Sequence, residues 1–179
     1  MSTDDAAARA DVIDRWTSPA GAGLLIRPLR ADEAARELRF IASLSPQSRY
    51  ERVFSHRGLL PGELNQLMKF DVRREIALLV ARADDDEIVA VARLRKADTA
   101  ATSDDCEFAI VVGDAWHRQG VGRRLLQQLV DVARAAGLRE LVGYTLASNA
   151  SMQALARRIG FRVESDPDDR TMMRLSLAL

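Results

Sequence analysis

Glu107, the turn His117-Arg118-Gln119-Gly120-Val121-Gly122-Arg123 and Asn149 are the residues of this chain whose types and spacing could do chemistry. The turn follows a strand-like run, Glu107-Phe108-Ala109-Ile110-Val111-Val112, and opens a long amphipathic segment. Glycines at i and i+2 in such a turn let backbone approach a ligand closely. They also leave amide N–H groups at a helix N-terminus, where the helix dipole favours an anion. Arg118 and Arg123 add charge that can pair with phosphate; a solvated helix start is their plainer explanation. Residues 117–123 are therefore expected to form a pyrophosphate seat. For His117 two readings stand open: it caps the turn or touches phosphate, or it is an idle exposed imidazole.

These residues need elements to hold them. Leu24 to Leu29 is predicted as a first strand, with Pro28 suited only to its end or to a sheet edge. Asp32 is expected to cap a helix reaching Leu44, on which Ala34, Ala35, Leu38 and Ile41 recur at helical spacing. Ser45-Pro46 reads as an N-cap followed by proline at the first helical position, opening a second helix to about Phe54. Pro61-Gly62-Glu63 begins a further helical turn ending near Met68. Two strands, Glu75 to Ala83 and Glu87 to Lys96, flank the acidic turn Asp84-Asp85-Asp86 as a hairpin. A polar loop, Ala97 to Asp104, leads to the strand Cys106–Val112.

The glycine turn then opens a helix over about Gly120 to Ala136. Val121, Leu125, Leu129 and Val132 form its apolar stripe, and Gly137 supplies its stop. A strand over Leu138 to Leu146 follows, then a helix capped by Ser148 or Asn149 and ended by Gly160. Phe161–Glu164 and Met172–Leu179 are closing strands. The pattern is a single α/β domain with a mixed sheet and helices on both faces.

The chain has 179 residues, enough for one full hydrophobic core. Its 26 basic and 26 acidic side chains balance, which argues against a sequence-independent grip on nucleic acid. The single cysteine, Cys106, can make neither an internal disulfide nor a metal cluster, so no metal is expected and a reducing compartment fits. No apolar run is long enough to span a bilayer, and Met1 to Arg15 lacks the basic-then-apolar order of a signal peptide. A cytoplasmic protein with no membrane partner is the expectation. Residues 1–20 read as a flexible tail and residues 21–179 as the domain. No feature specifies an oligomeric state.

The strand, the turn His117-Arg118-Gln119-Gly120-Val121-Gly122, its helix, the next strand and Asn149…Ile159-Gly160-Phe161 together resemble the GCN5-related N-acetyltransferase (GNAT) superfamily. The family's signature is Gln/Arg-x-x-Gly-x-Gly/Ala. Gly120 and Gly122 match it, and His117 departs at its first position. A narrower likeness lies in Ser43-Leu44-Ser45-Pro46-Gln47-Ser48-Arg49-Tyr50, Asp71…Arg74-Glu75-Ile76-Ala77-Leu78 and Ala90-Val91-Ala92-Arg93-Leu94. These look like the acetyltransferase domain of bacterial Pat-type protein lysine acetyltransferases. The resemblance implies a single-domain GNAT fold with a mixed, mostly antiparallel central sheet, and acetyl-CoA as cosubstrate. It implies that His117, Arg118, Gln119, Gly120, Val121, Gly122 and Arg123 hold the pyrophosphate, and that Asn149 contacts the pantetheine arm as well as capping its helix. A backbone N–H near Val111 or Val112 would stabilise the oxyanion, where the strands splay.

A thioester is already activated. Amine acetylation mainly requires a deprotonated amine, aligned reactants and a stabilised oxyanion. Glu107 is the expected general base, because Pat-type enzymes resemble this arrangement with a glutamate at that position; its plainer reading is a solvated charge at a strand start. Strand alternation puts Glu107, Ala109 and Val111 on one face and Cys106, Phe108, Ile110 and Val112 on the other. Cys106 reads as a buried structural thiol rather than a nucleophile. Many relatives carry a tyrosine four residues before Gly-Phe as acid for the thiolate. Ala156 stands there, with Tyr144 and Ser148 as weaker substitutes. The expected activity is acetyl-CoA-dependent Nε-lysine acetylation of a protein by direct transfer in a ternary complex. The alternatives are acetylation of a small amine (polyamine, amino acid or aminoglycoside) and a non-catalytic acyl-CoA-binding module.

Overall fold

The computed structural model describes residues 11–54, 75–96 and 105–179. The strands are β1 (Asp14–Thr17), β2 (Gly23–Pro28), β3 (Glu75–Arg82), β4 (Ile88–Lys96), β5 (Asp105–Val112), β6 (Glu140–Leu146), β7 (Arg162–Ser165) and β8 (Met172–Ala178). The helices are α1 (Ala34–Ser43), α2 (Pro46–Phe54), α3 (Val121–Ala135) and α4 (Ala150–Ile159). The strands form one sheet in the order β1-β2-β3-β4-β5-β6-β8-β7. Every neighbouring pair is antiparallel except β5 and β6. The expected mixed, mostly antiparallel sheet with helices on both faces is what the chain adopts.

Alternation along the strands builds two cores. On one face Cys106 and Phe108 pack with Leu78, Val80, Ala92 and the α3 stripe Val121, Leu125, Leu126 and Leu129. On the other, Val111 packs with Leu79, Val91 and the α1 residues Phe40 and Ile41. Burying each of the Val, Leu, Ile and Phe side chains among them contributes roughly 1.5–3 kcal/mol. The odd–even assignment along β5 therefore holds, with Glu107 on the α1 face.

Two local expectations change. Asp14–Thr17, read as part of the tail, form the edge strand β1, where Asp14 accepts from Arg124 at 2.9 Å and the Arg124 guanidinium lies 5.0 Å from the Trp16 ring centroid. Pairing with β2 supplies an order that four residues without apolar periodicity do not announce. The helix start also moves: a 3-10 turn, Ala31–Glu33, precedes α1. Glu33, not the exposed Asp32, accepts the Arg30 N–H at 3.0 Å, because Arg27 buries Glu33 there in a two-pronged ion pair with both contacts at 2.7 Å. The predicted turn at Pro61–Met68, the loop Ala97–Asp104 and the motif residues Asp71…Arg74 lie outside the described residues.

Candidate active site

The site is made where β5 and β6 part. The two strands pair in parallel at Asp105↔Glu140, Cys106↔Leu141 and Glu107↔Val142, and their ladder stops there. β5 runs on to Val112 and β6 to Leu146, leaving an open wedge. Phe108 lies over Gly143 at the point of divergence: a Cβ at 143 would come within 3.0 Å of three of its ring atoms. Phe161 packs on the Phe108 ring at 5.0 Å between centroids. A cleft of about 1140 Å³ fills the wedge, lined by β5 from Phe108 to Val112, by the glycine turn, by Tyr144 and Thr145, and by parts of α2 and α4.

The register decides which amides face this cleft. Gly113 donates its N–H to the Val89 carbonyl at 2.8 Å, across the β4 side. Neighbouring residues of an antiparallel strand alternate the edge they address. With β4 and β5 in unbroken register from Ala90↔Val112 to Lys96↔Cys106, Val111 and Ala109 turn their N–H groups to β4. Ile110 and Val112 turn theirs to the wedge. Of the two expected oxyanion donors, Val112 has the required direction and Val111 is committed to the sheet. Ile110 was not singled out from sequence, because strand parity does not reveal which edge is open.

The turn places its groups as an anion seat requires. Gly120 precedes α3 with φ +80°, a conformation that favours glycine, and a Cβ there would meet nothing within 4 Å. The first bond of α3 runs from the Arg124 N–H to the Gly120 carbonyl at 3.1 Å. The N–H groups of Val121, Gly122 and Arg123 therefore precede the intrahelical ladder, at the positive end of a fifteen-residue helix. Gly120, Gly122, Arg118 and Arg123 line the cleft. Arg118 adopts φ +59°, a left-handed backbone that costs a non-glycine residue about 1–2 kcal/mol. These donors fit a pyrophosphate.

Three expected contacts are qualified by what the side chains do. His117 donates from Nε2 to the Val112 carbonyl at 3.0 Å, so the ring closes the loop between β5 and the turn. Gln119 donates from Nε2 to the Ala115 carbonyl at 2.7 Å. Val121 sends its side chain into the core and has only its amide to offer. Asn149 caps α4, accepting the Met152 N–H at 3.0 Å, and also lines the cleft; its Oδ1 is used by the cap, which leaves the amide nitrogen as the group to meet a ligand.

Glu107 sits at the last paired position, half-buried, one residue before the cleft wall begins at Phe108. Opposite it on β4 is Arg95, which is itself opposite Glu75 on β3, giving a row of alternating charge on the α1 face. Arg95 donates to Glu75 at 2.7 Å, Arg93 bridges Glu75 at 2.9 Å, and Arg93 also holds Glu37 of α1. Cys106 points into the apolar core at 3% exposure. Ala156 is fully buried and lines no part of the cleft; Tyr144 lines it, and Ser148 does not.

One further group was not foreseen. Asp114, just past β5, accepts from the Ser45 N–H at 2.9 Å and from the Ser45 and Ser48 hydroxyls at 2.7 Å each. The Ser45 amide and these hydroxyls hold its carboxyl down at about 2, so it is ionised at any ordinary pH. No sequence signal links residues 45 and 114; only tertiary contact does.

Both the sequence and the fold are matched in known proteins. The model of the acetyltransferase (GNAT) family matches residues 41–161. An acetyltransferase of Pseudomonas aeruginosa, PA5475, is 34% identical over 169 residues, which is 93% of this chain and 90% of that protein. A shorter stretch of 57 residues, about a third of each chain, is 39% identical to an L-methionine sulfoximine/L-methionine sulfone acetyltransferase of the same species. Among solved structures, the GNAT domain of Streptomyces lividans PAT superposes with a TM-score of 0.77 at 24% identity, covering 93% of this chain and 96% of that one. With more than half its length inside the family model and a full-length relative above 30% identity, the chain belongs to the GNAT family of acetyltransferases.

Proposed function

We propose that this enzyme transfers the acetyl group of acetyl-CoA directly to the side-chain amine of a lysine on a protein, in the cytoplasm. The observation that carries direct transfer is the parted β5–β6 pair, which turns the Ile110 and Val112 N–H groups into the same cleft that the glycine turn lines. The cosubstrate supplies an acetyl group already activated as a thioester. Amides 121–123, with Arg118 and Arg123, would hold its pyrophosphate, and Asn149 and the edge of β5 would align the arm. The Val112 N–H would donate to the acetyl oxygen as that oxygen gains charge. Glu107 would take the amine proton, through one water where direct reach falls short. The N–C bond forms as the C–S bond breaks, and Tyr144 is the cleft-lining phenol that could return a proton to the departing thiolate. Burial of Cys106 in the core speaks against a thioester on the enzyme.

A protein acceptor is favoured by the likeness to the PAT domain over nearly the whole of both chains. The short match to a methionine sulfoximine acetyltransferase favours a second reading, a small amino acid or related amine. Incubation with labelled acetyl-CoA and cell lysate separates them. Label on lysine side chains of proteins is the expected result. Label confined to low-molecular-weight material would replace the first reading by the second.

A further inference from the structure

We infer that Asp114 is a positioning residue that makes the α2 wall of the cleft depend on the cofactor turn. The inference rests on the proposed CoA site. Helix α2 packs across β5 and β6, and Ser45, Gln47, Ser48 and Glu51 face the cleft from it. Its start is not closed by its own residues alone. Ser45 Oγ accepts the Ser48 N–H at 3.2 Å as an ordinary N-cap, and then donates its hydrogen to Asp114. The Ser48 hydroxyl and the Ser45 N–H donate to the same carboxylate. One aspartate from just past β5 thus gathers three donors at the N-terminal end of α2.

Asp114 in turn stands between the sheet and the cofactor turn. It follows Gly113, whose N–H completes the β4 ladder and whose Cα is packed against Phe40 of α1 and the Val89 carbonyl, with only 3.3–3.4 Å left for a Cβ. Three residues later His117 ties the turn back to the Val112 carbonyl. Ligand contacts at Val112 or along residues 117–123 therefore bear on Asp114 from both sides in the chain. Because the carboxylate is ionised, its bonds to hydroxyl and amide donors are of the stronger, charge-assisted kind. Asp114 touches no reacting atom; it acts through α2.

The test needs no knowledge of the acceptor. CoA affinity is measured by calorimetry, and amide hydrogen exchange of residues 45–51 is followed with and without saturating CoA. In the wild type CoA is expected to slow exchange there at least fivefold. Asp114→Ala should bind CoA within threefold of wild type while exchange at 45–51 becomes indifferent to CoA. The Ser45→Ala/Ser48→Ala double variant leaves the turn untouched and should behave the same way, and Asp114→Asn, which keeps one acceptor oxygen, should recover part of the response. Equal slowing in wild type and Asp114→Ala, or none in the wild type, overturns the coupling. No CoA binding by the wild type would instead remove the cofactor site itself, and the calorimetry separates these outcomes.

Discussion

The two edges of β5 are built to opposite specifications. On the β4 side the register is unbroken over seven residue pairs, from Ala90↔Val112 to Lys96↔Cys106. On the β6 side it lasts for three pairs and then opens. The closed edge holds the strand straight and fixes which amides are committed. The open edge presents the remaining ones to the cleft without any rearrangement at the moment of reaction, the condition under which a hydrogen-bond donor contributes most to catalysis. The difference teaches that the site is a place where an otherwise regular sheet omits pairing, and that the omission is held open by packing. Phe108 over Gly143, backed by Phe161, does this on one face. On the other, the row Glu75, Arg95 and Glu107 runs up to the last paired residue.

The largest expected effect comes from the residue at the boundary itself. Glu107→Gln keeps shape and removes the proposed base, so turnover should fall by about 10²–10⁴-fold with acetyl-CoA affinity retained. Steady-state rates beside a binding isotherm check this, and unchanged turnover would take Glu107 out of the mechanism. Next, proline can interrogate the two edges separately. Val112→Pro removes an N–H that faces the cleft, so a folded protein with turnover reduced by roughly 10²–10³-fold is expected. Val111→Pro removes an N–H committed to β4, so its main effect should be a lower melting temperature. If thermal melts and rates showed the two variants with their effects exchanged, the assignment of edges would be wrong. The smallest effect concerns the wedge: Gly143→Ala places a methyl against the Phe108 ring and should destabilise by about 1–3 kcal/mol in urea titrations. A neutral result would show that Phe108 does not hold the strands apart.

Much of this was legible in the sequence. Helices α2, α3 and α4 start where Ser45-Pro46, the glycine turn and Asn149 say they should, because caps and helix-compatible turns are local chemistry. The faces of β5 followed from alternation, which is equally local. The helix start near Asp32 was misplaced because a buried arginine, Arg27, recruits Glu33 through space. Strand β1 was missed because an edge strand can be ordered by its partner's backbone alone. The role of the His117 side chain was left open because the Val112 carbonyl it meets becomes available only when β6 turns away.

By itself, then, the sequence determined most of the elements, the two faces of β5, the glycine turn at the start of α3, and the family resemblance that these carry. Those features depend on residues within a few positions of one another, where backbone geometry and side-chain periodicity act directly. Only the tertiary structure decided which edge of β5 is open, that Val112 and Ile110 rather than Val111 address the cleft, and that Asp114 anchors α2. Each of these depends on how strands distant in sequence are set beside one another, and register is a property of the assembled sheet rather than of any one of its strands.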